Sequence, residues 1–483
     1  MNTPPPIERI PDEIIQEIST WASSPVTISQ LSRRLRRIAF DTPTLWQVFY
    51  TTCRVYRTDS QLLVRDGYLE HLDWWYTRLG NKNELAFKFE LQRFWRKTAP
   101  EKCVPFDQQI VKSLFRLFAR ARYLYIEHDS ISFLDFASGH SLVIAPWPFI
   151  ESLTFAVSHG EEEGLSCNHI IHSMVETHKM SALRRIQLER LVLTHPLDER
   201  LVDYKTAWMW NQLTQIRSTF MVSRLDHWKG VIGELRAVES ANLTILVRED
   251  DLDLAANGKT YTMACLRELR ITVDCFYTVN RQVSALFEGL HFPALETFQL
   301  IGAHLTFDGF HRLVAATPLL ERIRLASLFP TTDTESSDYI AGFNKAAVQF
   351  PTTTTKRLVN CVPHLKHFVI DIPTIHQFND SLRPYVDGLR QCGWLEGSSW
   401  TNGPPIFDLC RTYWSSSMEG VVDDLYEYLS SDGNASGPKI SLQMLDEHAW
   451  GKSSCWDAGP LWEERMDLGL EFQALKLYTP LVL

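Results

Sequence analysis

Hydrophobic residues recur along this chain in a short motif, apolar-x-x-apolar-x-apolar, whose last two apolar positions alternate with other residues. It reads Ala121-Leu124-Ile126, Ile150-Leu153-Phe155, Leu183-Ile186-Leu188, Leu213-Ile216-Ser218, Leu243-Leu246-Arg248, Leu266-Leu269-Ile271, Leu295-Phe298-Leu300, Leu320-Ile323-Leu325 and Leu365-Phe368-Ile370. Alternation of period two predicts a strand that buries one face. Successive motifs start 29, 33, 30, 30, 23, 29, 25 and 45 residues apart. Such intervals leave room for a returning helix, visible at residues 168–178 and 309–316, and strands joined by crossovers pair in parallel. Leu72 to Arg78 with Leu85 to Phe89, and then Leu114 to Ile126, read as two earlier helix–strand units. Proline just before several strand leucines (Pro293, Pro318, Pro363) ends the preceding helix.

Ahead of these repeats the period changes to that of a helix. Asp12 is placed to cap a helix with Ile14, Ile18 and Trp21 on one face. A second helix from about Thr27 puts Ile28, Leu31, Leu35 and Ile38 on one stripe and Arg33, Arg34, Arg36 and Arg37 on the rest. A third short element after Pro43 carries Leu45, Trp46, Val48 and Phe49. About forty residues are too few to bury this much apolar surface internally, so another body must cover it.

The segments Ile10-Pro11-Asp12-Glu13-Ile14-Ile15, Leu31-Ser32-Arg33-Arg34-Leu35-Arg36-Arg37-Ile38-Ala39 and Thr42-Pro43-Thr44-Leu45-Trp46 together resemble an F-box, of the kind abundant in mushroom-forming fungi. The repeats, with their strand–helix period, resemble leucine-rich repeats. Two departures mark the match: Leu35 stands where the family usually has Trp, and the stretch between the first two helices is about two residues short. The resemblance implies a non-catalytic subunit of a ubiquitin ligase. Ile10, Pro11, Ile14, Ile15, Leu31 and Leu35 would bind a Skp-type adaptor and, through it, a cullin, while the repeats would hold a protein substrate. A plain helical cap on the next domain, or a nuclear or nucleic-acid signal in the arginine run, remains open for this segment. For the whole chain the alternatives are a leucine-rich-repeat interaction scaffold outside the ubiquitin pathway and an enzyme hidden in the C-terminal region.

The predicted fold class is thus α/β: a three-helix module over residues 8–50, a solenoid with a parallel strand row over 51–372, and an irregular cap over 373–483. The threonine-rich stretch 330–356 reads as an inserted loop. On the strands, the residue between the last two motif positions should point away from the core. The resulting row is Tyr125, Thr154, Gln187, Arg217, Val247, Arg270, Gln299, Arg324 and Val369. Gln187, Arg217, Arg270, Gln299 and Arg324 are its candidate substrate-binding members, suited to acidic or phosphorylated segments. A solvated face is the plainer alternative.

Composition narrows the chemistry. With 48 Lys and Arg against 58 Asp and Glu, the formal charge of −10 opposes general coating of nucleic acid or anionic membrane. The 45% hydrophobic content excludes a wholly disordered chain of 483 residues. No apolar run is long enough to span a bilayer, and the start MNTPPPIERIPDEII lacks a secretory pattern, so a cytoplasmic or nuclear location is expected. Nine cysteines without a C-x-x-C pair argue for reduced thiols. Gly451-Lys452-Ser453 lacks the glycine a phosphate loop needs, since position 446 is Asp446. Cys167, His169, His172 and His178 form the one metal-like cluster and read more simply as repeat-helix residues. Neither a catalytic residue nor a cofactor is expected.

Overall fold

The structure is a computed structural model describing residues 10–12, 14–15, 29, 31–42, 46–57, 62–80, 85–95, 102–128, 146–157, 179–193, 211–222, 228–229, 232–233, 235–247, 260–275, 286–301, 313–326, 364–371, 406–411 and 440–444. These fall into two units, one within Met1–Val192 and one within Leu193–Pro460. Each carries a row of parallel strands of solenoid type, and the chain is α/β.

In the first unit, helix α1 (Arg33–Asp41) begins where Ser32 turns extended and its hydroxyl accepts the Leu35 amide N–H (3.1 Å). Strands β1 (Val48–Arg57) and β2 (Leu62–Arg65) follow, then helix α2 (Tyr68–Arg78), β3 (Leu85–Trp95) and β4 (Cys103–Pro105). Helix α3 (Gln108–Phe118), capped by the Asp107 carboxylate, leads to β5 (Ala121–His128), β6 (Ser152–Val157) and β7 (Arg185–Leu193). The strand order is β7-β6-β5-β3-β1-β2-β4; pairing is parallel from β1 through β3, β5 and β6 to β7, and β2 and β4 close the edge antiparallel.

The helix–strand units expected from Leu72 and Leu114 are present as α2 with β3 and α3 with β5. The third helix of the expected three-helix module is not, and most of the first, with Ile18 and Trp21, lies outside the described residues. Val48 and Phe49, assigned by sequence to a third helix, open β1 and pair with Ala86 and Phe87, so the sheet starts inside the stretch read as helical. The β-branched and aromatic run Val-Phe-Tyr-Thr-Thr favours a strand over a helix. The second helix is also shorter than expected: Ser32 interrupts it, which removes Leu31 from the stripe that Leu35, Ile38 and Ala39 bury.

The second unit holds β8 (Gln215–Val222), β9 (Ser240–Val247), a two-residue β10 (Tyr261–Thr262), β11 (Glu268–Cys275), β12 (Leu290–His291), β13 (Thr297–Ile301), β14 (Arg322–Ala326), β15 (His367–Asp371), β16 (Ile406–Arg411) and β17 (Ile440–Met444). β8-β9-β11-β13-β14-β15-β16-β17 form one parallel row, and β10 pairs with β12 apart from it. Residues 373–483 were expected to be irregular, yet β16 and β17 continue the row. The 330–356 insertion, residues 168–178 with Cys167, and Gly451 lie outside the described residues.

The row has a regular backbone signature. The carbonyl just before each strand accepts two amides from the next repeat: Thr214 from Glu239 and Ser240, Glu239 from Arg267 and Glu268, Arg267 from Glu296 and Thr297, Glu296 from Glu321 and Arg322, Glu321 from Lys366 and His367. A turn enters each strand, with Val238 N–H bonded to Leu235, Leu295 to Phe292 and Leu320 to Thr317. Pro293 and Pro318 occupy the second residue of such turns, where a fixed φ near −65° fits, so they shape the turn into the strand rather than only ending a helix.

This signature corrects one repeat. Val238-Ala241-Leu243, not Leu243-Leu246-Arg248, is equivalent to Leu266-Leu269-Ile271, because Ala241 pairs with Leu269 and Leu243 with Ile271. The intervals Leu213–Val238 and Val238–Leu266 become 25 and 28 residues in place of 30 and 23. Alanine at the middle position hid the motif. Leu213, Val238, Leu266, Leu295, Leu320 and Leu365 are all buried, each large aliphatic chain contributing about 1.5–3 kcal/mol.

Candidate functional site

Two places carry the sequence-derived candidates. At the N-terminal module, Asp12, Ile14 and Ile15 are helical, with Ile15 N–H bonded to the Pro11 carbonyl (3.1 Å). Asp12 was expected to cap this helix; its carboxylate instead accepts from Arg34 (Nε, 2.9 Å) and from Arg37 (3.2 Å) on α1. Arg34 also donates to the Ile10 carbonyl (2.5 Å). The hydrogen bond from Arg34 is the main reason the Asp12 carboxyl lies below its ordinary value. The arginine run therefore splits by role, with Arg34 and Arg37 tying the start of the chain to α1.

That tie sorts the six adaptor candidates. Ile15 and Leu35 are buried and Ile10 is half-buried, so these support the module. Pro11 is exposed, and Ile14 and Leu31 stand 50% and 68% exposed, two of the few large hydrophobics left in water among the described residues. The far end of the module is covered as its apolar surplus requires. Trp46 is fully buried, its ring meeting Trp74 and Trp75 of α2 edge-on at 5.1 and 5.0 Å. Its indole N–H donates to the Ala39 carbonyl (2.7 Å), and the Trp75 indole donates to the Trp46 carbonyl (3.2 Å). The Arg78 guanidinium sits 3.9 Å above Phe40. The resemblance named Trp46 as part of a helical ending; the structure makes it the clamp between module and sheet.

The second place is the outward row of the strands. In the first unit it runs Tyr50, Lys88, Tyr125, Thr154, Gln187 by Cα pairing. Lys88 lies between the rings of Tyr50 and Tyr125 (5.3 and 4.6 Å) and pairs with Glu90 (2.9 Å) and Glu127 (3.5 Å). The Tyr50 hydroxyl donates to Glu90 (2.5 Å), and Thr52 also reaches that carboxylate. Burial alone would raise Glu90, but the hydrogen bonds from Tyr50 and Lys88 and the lysine charge outweigh it and hold the carboxyl below its ordinary value. Burial, followed by the Glu90 hydrogen bond, pushes the Tyr50 phenol up. Sequence reasoning missed Tyr50 and Lys88 because it began the row at residue 121. Gln187, a substrate candidate, is buried in this unit.

In the second unit the row is Arg217, Asn242, Arg270, Gln299, Arg324, Val369, Asp408. Val247 is not part of it: the corrected register puts Asn242 between Arg217 and Arg270. The three arginines do alternate with amides, two strands apart. Their exposure is graded, with Arg217 exposed, Arg270 half-buried and Arg324 only 4% exposed, while Gln299 is buried. The exposed part of the row is thus on β8, β9 and β11, and a site spanning all five candidates is not accessible as expected, because Gln187, Gln299 and Arg324 are buried.

No group of three or more metal-ligating side chains gathers among the described residues. Among the described residues no helix is long and apolar enough to cross a membrane. No protein-family model matches the chain, and no curated protein matches it.

Proposed function

We propose that this chain is the substrate-recognition subunit of a Skp-cullin-F-box type ubiquitin ligase. It would dock on the adaptor through the module at residues 10–42 and present a protein substrate on the solenoid strands. The observation that supports this reading is the exposure of Ile14 and Leu31 beside Ile15, Leu35, Ile38 and Trp46, which are buried. Apolar side chains left in water on an otherwise packed module suit a partner surface. The sequence order from Pro11 to Trp46 that resembles an F-box adds the partner's type. The chain would contribute proximity rather than bond-making, holding a substrate lysine within reach of a charged conjugating enzyme.

The test is copurification of tagged full-length protein with the adaptor and cullin. Wild type should recover both, and Ile14→Asp with Leu31→Asp should recover neither while keeping the wild-type melting temperature. Absence of both from the wild-type preparation would remove the ligase reading and leave an interaction scaffold, and undiminished recovery by the double variant would move adaptor docking away from Ile14 and Leu31.

A further inference from the structure

We propose that the outward face of α1, continued by Arg78 of α2, binds single-stranded nucleic acid, with phosphates on Arg33, Arg36 and Arg37 and a base on Arg78. The proposal does not rest on adaptor docking or on the strand row, and it gives a role to the cationic face that neither of them uses.

The helix period sets that face. Residues i, i+3, i+4 and i+7 share one stripe, and on α1 these are Arg33, Arg36, Arg37 and Phe40. The stripe lies opposite the buried residues Leu35, Ile38 and Ala39, and its three arginines are exposed. It is about 10 Å long at about 1.5 Å per residue, which matches three nucleotides at about 3.4 Å each. At its far end Arg78 covers Phe40: the guanidinium carbon lies 3.9 Å from the Phe40 ring centre and 5.8 Å from that of Trp74.

The contacts these arginines already make leave the line cationic. Arg33 has no ion pair or hydrogen bond among the described residues. Arg36 donates to the Ser29 carbonyl (2.9 Å), which neutralises no charge. Arg37 shares the Asp12 carboxylate with Arg34, so two cations meet one anion. Arg78 lies on its aromatic rings without an ion pair among the described residues, and its Nε is buried without an acceptor. The other carboxylates of α1 and α2 pair with none of the four: Asp73 meets Ser113 and Arg116, and Asp41 and Glu70 are exposed. In a chain of net charge −10 this is a local reversal of sign.

The chemistry of the line favours one kind of anion. An acidic protein surface needs an apolar centre to bury against, and an anionic membrane needs apolar side chains that insert. The one apolar member of the stripe, Phe40, is half-buried beneath Arg78. A phosphate strand needs neither. It takes guanidinium donors at intervals, and its unpaired bases stack on guanidinium planes, of which Arg78 on its ring is one.

The experiment is fluorescence anisotropy on the full chain with a labelled oligoadenylate of about 12 nucleotides, at about 50 to 200 mM salt. A labelled polyglutamate peptide and vesicles containing phosphatidylserine are measured beside it. The oligoadenylate should bind most tightly, and its affinity should fall about twentyfold to fiftyfold across that salt range, as three or four neutralised phosphates on a single strand require. Arg33→Gln with Arg36→Gln, both at exposed positions, should lower the slope of log affinity against log salt by about 1.4 at an unchanged melting temperature. Arg78→Lys keeps the charge and loses the plane, so it should weaken binding about fivefold or more at an unchanged slope. No binding of the oligoadenylate at the lowest salt, tighter binding of the peptide or the vesicles, an unchanged slope in the double variant, or undiminished affinity in Arg78→Lys would each overturn the proposal.

Discussion

Replacing Trp46 by alanine should unfasten the N-terminal module from the sheet. The side chain is completely buried, and removing a buried Trp costs about 3–5 kcal/mol in lost burial and cavity formation. Two edge-on contacts to Trp74 and Trp75 go with it, and the Ala39 carbonyl loses its indole donor, which places the cost toward the upper end, about 4–5 kcal/mol. If the module opens locally, amide exchange in Arg33–Asp41 should accelerate about a thousandfold, at tenfold for each 1.4 kcal/mol. Hydrogen-exchange mass spectrometry of the intact chain reads this directly: peptides from α1 and α2 should lose protection, and those from β11 and β13 should not. Trp46→Phe keeps a ring but not the donor and should fall between, at about 1–3 kcal/mol. Unchanged exchange in α1 after Trp46→Ala would refute the clamp.

Three further outcomes are expected. Burial beside Phe49 and Trp75 lowers the His71 pKa, so the unfolded chain, with an ordinary value of about 6.5, takes up the proton first; the stabilisation is complete above that pH and is lost as pH falls below it. Urea midpoints at pH 7 and pH 5 should therefore differ less in His71→Gln than in wild type, and an identical difference would contradict this. Asp12→Asn should speed exchange at residues 10–15 with no change in global melting, because the pairs to Arg34 and Arg37 are local and partly exposed; a lowered melting temperature would count against that. The corrected register predicts that Leu243→Asp, which buries a charge, unfolds the second unit, whereas Asn242→Asp leaves it folded, as circular dichroism would show.

The solenoid was legible where its core positions carry large aliphatic chains, because period-two alternation around Leu266, Leu295 and Leu320 has one reading. It failed where the core residue is small or polar: Ala241 and Ser218 pack inward but do not announce it, and the neighbouring Leu243-Leu246 pair mimicked a start five residues late. The strand at Val48 was obscured by the helical context before it. β16 and β17 were missed because the first motif position is not occupied by a large apolar residue: Pro404 precedes Phe407-x-Leu409 and Gly437 precedes Ile440-x-Leu442. Of the site, sequence reasoning found the arginine alternation but not its graded burial, since which end of a row is covered depends on residues distant in the chain. It found Ile14 and Leu31 but could not separate them from Ile15 and Leu35, because the interruption at Ser32 lies within a pattern that reads as continuous helix.

Docking through the N-terminal module is tested most directly by titrating the purified full-length chain with the Skp-type adaptor. The wild-type chain should bind it, and Ile14→Asp with Leu31→Asp should abolish binding while leaving the melting temperature unchanged. Adaptor binding that survives the Ile14 and Leu31 substitutions, or is absent from the wild-type chain, would contradict the account.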